Sequence, residues 1–170
     1  MVILTDDVVR FFHRQTFVVV STVSDNGSLH VSCKGIVDIT EDGKIYLLDL
    51  YKQHTYQNLL RNKHITITAV DEHKFRGYSL KGTATIDKSA KSKNKMLQAW
   101  EKKLNSRITN RIIKNMEGER GHPLQAEALM PKPTYLISIE INEVVDLTPP
   151  RLKTIVDDYR AEEKKKEENR

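Results

Sequence analysis

"FVVVSTVSDNGSLHVSCKGIVDITEDGKIYLLDL", Phe17 to Leu50, decides the fold of this chain. Its β-branched run from Phe17 to Ser24 meets Asn26-Gly27, a pair that accepts the positive φ angles of tight hairpin turns. A second extended run, Leu29 to Ile39, ends at Thr40-Glu41-Asp42-Gly43, and a third covers Lys44 to Leu50. Three consecutive strands joined by short turns predict an antiparallel meander.

Upstream, Thr5 stands before Asp6 and Asp7, followed by Val8, Val9, Phe11 and Phe12, which predicts a capped helix with one face on the core. Downstream, His64 to Val70 alternates Ile65, Ile67 and Ala69 against Thr66, Thr68 and Val70, and Gly77 to Ile86 gives a fifth strand. The sixth, Thr134 to Leu147, sets Tyr135, Ile137, Ile139 and Ile141 on one face. Between the last two, Ser89 to Glu117 carries Leu97, Trp100, Leu104, Ile108, Ile112 and Met116 at helical spacing, as one helix or two parted near Asn105-Ser106. Gly118 to Pro133 reads as a loop. The whole is mainly β with helical insertions: a small six-stranded antiparallel barrel over 1–148, its helical insertion at about 89–117. A charged C-terminal tail over 149–170 starts as a helix after Pro149-Pro150 and frays.

Composition narrows the classes. The chain has 170 residues, and its 28 basic side chains are interspersed with 23 acidic ones, for a net charge of +5. That mixture gives little pull on nucleic acid. Asp6 and Asp7 stand where a basic leader segment would begin, and no apolar run approaches the ~18 residues of a membrane span. A cytoplasmic protein is expected. Cys33 is the single cysteine and excludes an intrachain disulfide, while the six histidines lie too scattered for a metal motif. No nucleophile triad, carboxylate pair or glycine-rich phosphate loop is present, so no catalytic residue can be named.

Two polar clusters stand out. In "YLLDLYKQHTYQNLLRN", Tyr46 to Asn62, a strand runs into a helix from about Thr55 to Asn62, with Tyr56, Leu59 and Leu60 available for its buried stripe. A bare helix start leaves about four amides without partners, so Lys52, His54 and Thr55 suit either an anion such as phosphate or a cap facing water. On the second strand, His30, Ser32 and Lys34 share one face and Leu29, Val31 and Cys33 the other. The polar face is wet or liganded, with core packing expected for Cys33. Lys81 is open to the same two readings, and Trp100 and the methionines read as core.

The segments "VVVSTVSDNGSLHVSCKGI", "KIYLLDLYKQHTYQNLLRNKHITI" and "GYSLKGTATI" resemble the FMN-binding split-barrel family related to pyridoxamine 5'-phosphate oxidase. The resemblance implies a split β-barrel, a homodimer with FMN at the subunit interface, and an oxidoreductase whose flavin performs the redox step on a small substrate or donor. It further implies that Ser32, Cys33 and Lys34 hold the ribityl phosphate together with His54 and Thr55, with Asn58 matching a family asparagine. Asp49, Leu50, Tyr51, Lys52 and Gln53 would line the isoalloxazine ring, and Lys81 matches a position that is often basic. His54 departs from the permanently charged residue frequent there, and Lys34 from an aromatic found in some members. Alternatives are a related barrel that takes deazaflavin or haem, and a non-catalytic barrel for nucleic acid, against which an aromatic content of 6% argues.

Overall fold

The computed structural model describes residues 2–87, 90–118, 131 and 133–153. The charged tail beyond 153 and most of the expected loop over 118–133 lie outside them. Thr5 caps α1, Asp6–Arg14, its hydroxyl accepting from the Val8 amide at 3.4 Å, and Val8, Val9, Phe11 and Phe12 are buried. The strands are β1 (Val18–Val23), β2 (Leu29–Lys34), β3 (Ile36–Ile39), β4 (Lys44–Asp49), β5 (His64–Asp71), β6 (Arg76–Asp87) and β7 (Tyr135–Asp146). Helix α2, His54–Arg61, follows β4, and the 27-residue α3, Ala90–Met116, follows β6 without a break at Asn105-Ser106.

Turn chemistry works locally as the sequence predicts. Gly27 and Gly43 hold φ angles of 79° and 78°, the left-handed region that glycine enters without a Cβ clash. The Asn26 side chain accepts from the Ser28 amide at 3.0 Å, which fixes the first hairpin.

One expectation is corrected. The run from Leu29 to Ile39 is two strands, because Gly35 interrupts it and the halves pair with different neighbours: β2 with β1, β3 with β4. The described residues therefore form a seven-stranded antiparallel sheet in the order β2-β1-β5-β6-β7-β4-β3. It curls on itself as a split barrel of the mainly β class. Among the described residues its hydrogen bonding does not close: β2 and β3 are the two edges, joined covalently through Gly35. The gap between those two edges is the seam of the split barrel.

Inside the curl, Val20, Ile45, Ile67, Leu80, Ile137 and Ile139 are fully buried, and Phe12 of α1 joins the same cluster. A smaller cluster of Val37, Leu48 and Leu136 lies on the other side of β3, β4 and β7, where Ala99 and Trp100 of α3 cover it. The long helix thus lies along the seam side of the barrel.

Candidate functional site

The seam opens into a cavity of about 300 Å³, within the size range of small-ligand pockets. It takes one wall from the polar face of β2, a second from the end of β4 and the chain leading into α2, and a third from α3.

The α2 corner gathers hydrogen-bond donors. Helical hydrogen bonding begins with the Gln57 amide on the Gln53 carbonyl at 3.1 Å, and the Gln53 side chain makes no capping bond. Amides ahead of Gln57 have no carbonyl within the helix to use. The hydroxyls of Ser32 and Thr55 lie 3.2 Å apart across the gap between β2 and α2. The rings of His30 and His54 stand beside them with centroids 5.2 Å apart, on the same cavity. Two hydroxyls, two imidazoles and a helix start make a donor set suited to a phosphate.

Deeper along β2 the chemistry changes. Lys34 donates to Asp49 at 2.6 Å, and the two side chains are only 9% and 8% exposed. Asp49 also accepts from the Tyr135 hydroxyl at 2.6 Å and from the Tyr51 amide at 3.4 Å. Burial, followed by that bond to Asp49, pushes the Tyr135 hydroxyl well above the usual tyrosine range. The charge of Lys34, expected to serve a phosphate, is matched within the protein by Asp49.

Ser32, Cys33, Lys34, Asp49, Leu50 and Tyr51 all line the cavity, as do Gln53, His54 and Thr55. Three expected residues do not. Asn58 is buried under α2, where it donates to the Thr22 hydroxyl at 3.0 Å and accepts from Arg61 at 2.9 Å. It anchors the helix to β1. The Lys52 ammonium lies 5.8 Å from the centre of the Tyr56 ring, and Lys81 pairs with Glu143 at 3.0 Å on the outer face of β6.

The third wall was missing from the sequence reading. Trp100, Lys103, Leu104 and Arg107 of α3 all face the cavity, spaced three, one and three residues apart as one helical face requires. That spacing was visible, but which layer the face would meet was not. Lys103 donates to the Ile36 carbonyl at 2.9 Å, and burial holds its ammonium below the usual lysine range. Arg107 bonds the Thr16 carbonyl and stacks over Phe17 at 5.0 Å. A Cβ on Gly35 would sit 3.2 Å from the Arg107 guanidinium, so the bare glycine lets α3 close over the seam.

Cys33 is exposed instead of packed in the core. Leu29 and Val31 join it at 72% and 56% exposure, because β2 is an edge whose inner face is taken by the polar set. Leu60 is likewise exposed, while Thr55 and Asn58 are buried in its place. Among the described residues no three histidine, cysteine or acidic side chains gather into a metal-holding group, and no helix is long and apolar enough to cross a membrane.

The family model for pyridoxamine 5'-phosphate oxidase matches residues 4–145. The chain belongs to the pyridoxamine 5'-phosphate oxidase family. Solved structures with a similar fold include HupZ of Group A Streptococcus, with a TM-score of 0.62 at 17% identity over 85% of this chain and 95% of that one. A protein related to general stress protein 26, of the pyridoxinephosphate oxidase family from Clostridium acetobutylicum, scores 0.57 at 15% identity over 86% and 94% of the two chains. An FMN-binding protein from Syntrophomonas wolfei scores 0.56 at 9% identity, covering 85% and 91%. No curated protein matches the chain. Family membership fits the seam, since the β2 face, the β4 end and α2 all fall inside the matched residues.

Proposed function

We propose that the chain is an FMN-dependent oxidoreductase that works as a cytoplasmic homodimer, with the seam cavity as its cofactor site. The observation that carries this reading is the α2 corner: an uncapped helix start beside the Ser32–Thr55 hydroxyl pair. A phosphate dianion placed there would accept from both hydroxyls and from first-turn amides, with the imidazole N–H groups of His30 and His54 as further donors. Leu50, Trp100 and Leu104 supply the apolar wall that a flat ring needs, and exclude water from it. When bound, FMN supplies the two-electron chemistry, so the protein's task is to hold, orient and electrostatically bias the ring.

The homodimer is supported by the outer face of the β1–β2 edge. Val19 pairs with Cys33, Ser21 with Val31 and Val23 with Leu29, so this face carries a largely apolar strip interrupted by Ser21, in which Phe17, Val19, Leu29 and Val31 are exposed. Burying such a side chain contributes about 1.5–3 kcal/mol, and a second copy would cover the strip beside the cavity.

The test is direct. The purified protein should be yellow, release FMN on denaturation, and rise in melting temperature when FMN is added to the emptied protein. A colourless protein with no thermal response to FMN overturns the reading, and a bound deazaflavin or haem spectrum reassigns the cofactor.

A further inference from the structure

Lys34 presents a puzzle that the phosphate corner does not solve. Its ammonium carries three hydrogens, yet among the described residues Asp49 is its one hydrogen-bond partner, and its side chain is nine-tenths buried in the cavity wall. Two donor hydrogens of this little-exposed cation have no acceptor among the described residues, and a buried polar group in that state is costly unless a ligand completes it. Asp49 does not depend on Lys34 alone for support, since the Tyr135 hydroxyl donates to the same Oδ2 that Lys34 uses and the Tyr51 amide reaches Oδ1. The ammonium is therefore fixed at the wall with donor capacity left over.

Position along the strand says which part of a ligand it meets. Ser32 marks the phosphate corner, and Lys34 is two residues further on the same face, about 7 Å away at the rise of an extended strand. A donor there lies beyond the phosphate, beside the body of the ligand.

We propose that Lys34, oriented by Asp49 and Tyr135, is the group that sets the redox potential of the bound cofactor, by donating to the acceptor edge of its ring and favouring the reduced, negatively charged form. This rests on the FMN reading above and assigns Lys34 a different partner from the phosphate that the family resemblance implies. A cation near a ring that gains negative charge on reduction stabilises the product more than the reactant, so its effect appears in the potential instead of in oxidised-state affinity.

The experiment measures FMN affinity and the midpoint potential of bound FMN for the wild type, Lys34→Met, Lys34→Arg and the double variant Lys34→Met with Asp49→Asn. The double variant removes both charges and so avoids an orphaned buried carboxylate. The expected result is that both Met-containing variants bind oxidised FMN within a few-fold of wild type while their preference for reduced FMN falls at least tenfold. That fall is a potential about 30 mV more negative for a two-electron couple. Lys34→Arg should keep most of the wild-type potential. If the variants bind FMN with unchanged potential, or lose affinity for oxidised and reduced FMN equally as loss of a phosphate contact would, the inference fails while the FMN reading stands. A wild type that takes up no FMN overturns both.

Discussion

Asp49 receives three donors from three parts of the chain: the Lys34 ammonium, the Tyr135 hydroxyl and the Tyr51 amide. Removing the carboxylate orphans a buried cation, so Asp49→Ala should lower unfolding free energy by about 3–5 kcal/mol, read from urea denaturation. A change under about 1 kcal/mol would show that Lys34 reaches water. Tyr135 gives a pH signature. Its hydroxyl is held above its ordinary value of 10.0 by burial and by Asp49, so above that pH the unfolded chain releases a proton that the folded chain keeps. Stability must then fall as pH rises past about 10, and Tyr135→Phe should flatten that part of the denaturation profile relative to wild type. At the α2 corner, Thr55→Val keeps the shape and removes one donor, which should weaken FMN binding by about 1 kcal/mol or more. Equal titrations for Val and Thr would move the phosphate elsewhere.

Among the elements, the β6–β7 pair brings two backbones close at Gly82. The register slips between Lys81 and Gly82, and a Cβ on Gly82 would overlap the Glu140 carbonyl oxygen. Backbone cannot step aside as a flexible side chain can. Gly82→Ala should therefore cost about 1–3 kcal/mol, while Gly35→Ala, which meets at 3.2 Å only the far end of the long Arg107 side chain, should cost much less. Comparable melting temperatures for the two variants would contradict this ranking. Turn residues were legible because Asn26-Gly27 and Asp42-Gly43 act through local φ angles alone. The break at Gly35 was not, since β-branched and alternating residues continue on both sides of it and only the change of pairing partner divides the strand. Helix α2 shows the same limit: Leu59 is buried as its spacing predicts, but Thr55 and Asn58 displace Leu60 from the interior. Their hydrogen bonds to Ser32 and Thr22 make that burial tolerable.

For the whole molecule, the seam and the apolar strip beside it are two consequences of one topology. A sheet whose edge strands are joined but not paired leaves a gap for a ligand and an edge for a partner. Val31, 56% exposed at the centre of β2, is the place to test the second. Val31→Glu puts a charge into the middle of the strip and should convert a dimer to a monomer by light scattering, with the fold intact by circular dichroism. A wild type that is monomeric at high concentration would remove the dimer from the proposed function.

Short-range chemistry was determined by the sequence by itself: the capped first helix, the glycine turns, the strand faces of Ile137 and Ile139, and a polar face on β2 opposite an apolar one. Each depends on residues within a few positions of one another. Only the tertiary structure decided what those faces meet. Cys33 turned outward, Trp100 became a cavity wall, and Lys34 acquired a carboxylate 15 residues away and, through it, a tyrosine on the last strand. Periodicity reports that two faces of an element differ; which of them is buried depends on the neighbour that arrives, and here the neighbours come from distant strands and from a helix that closes over the seam.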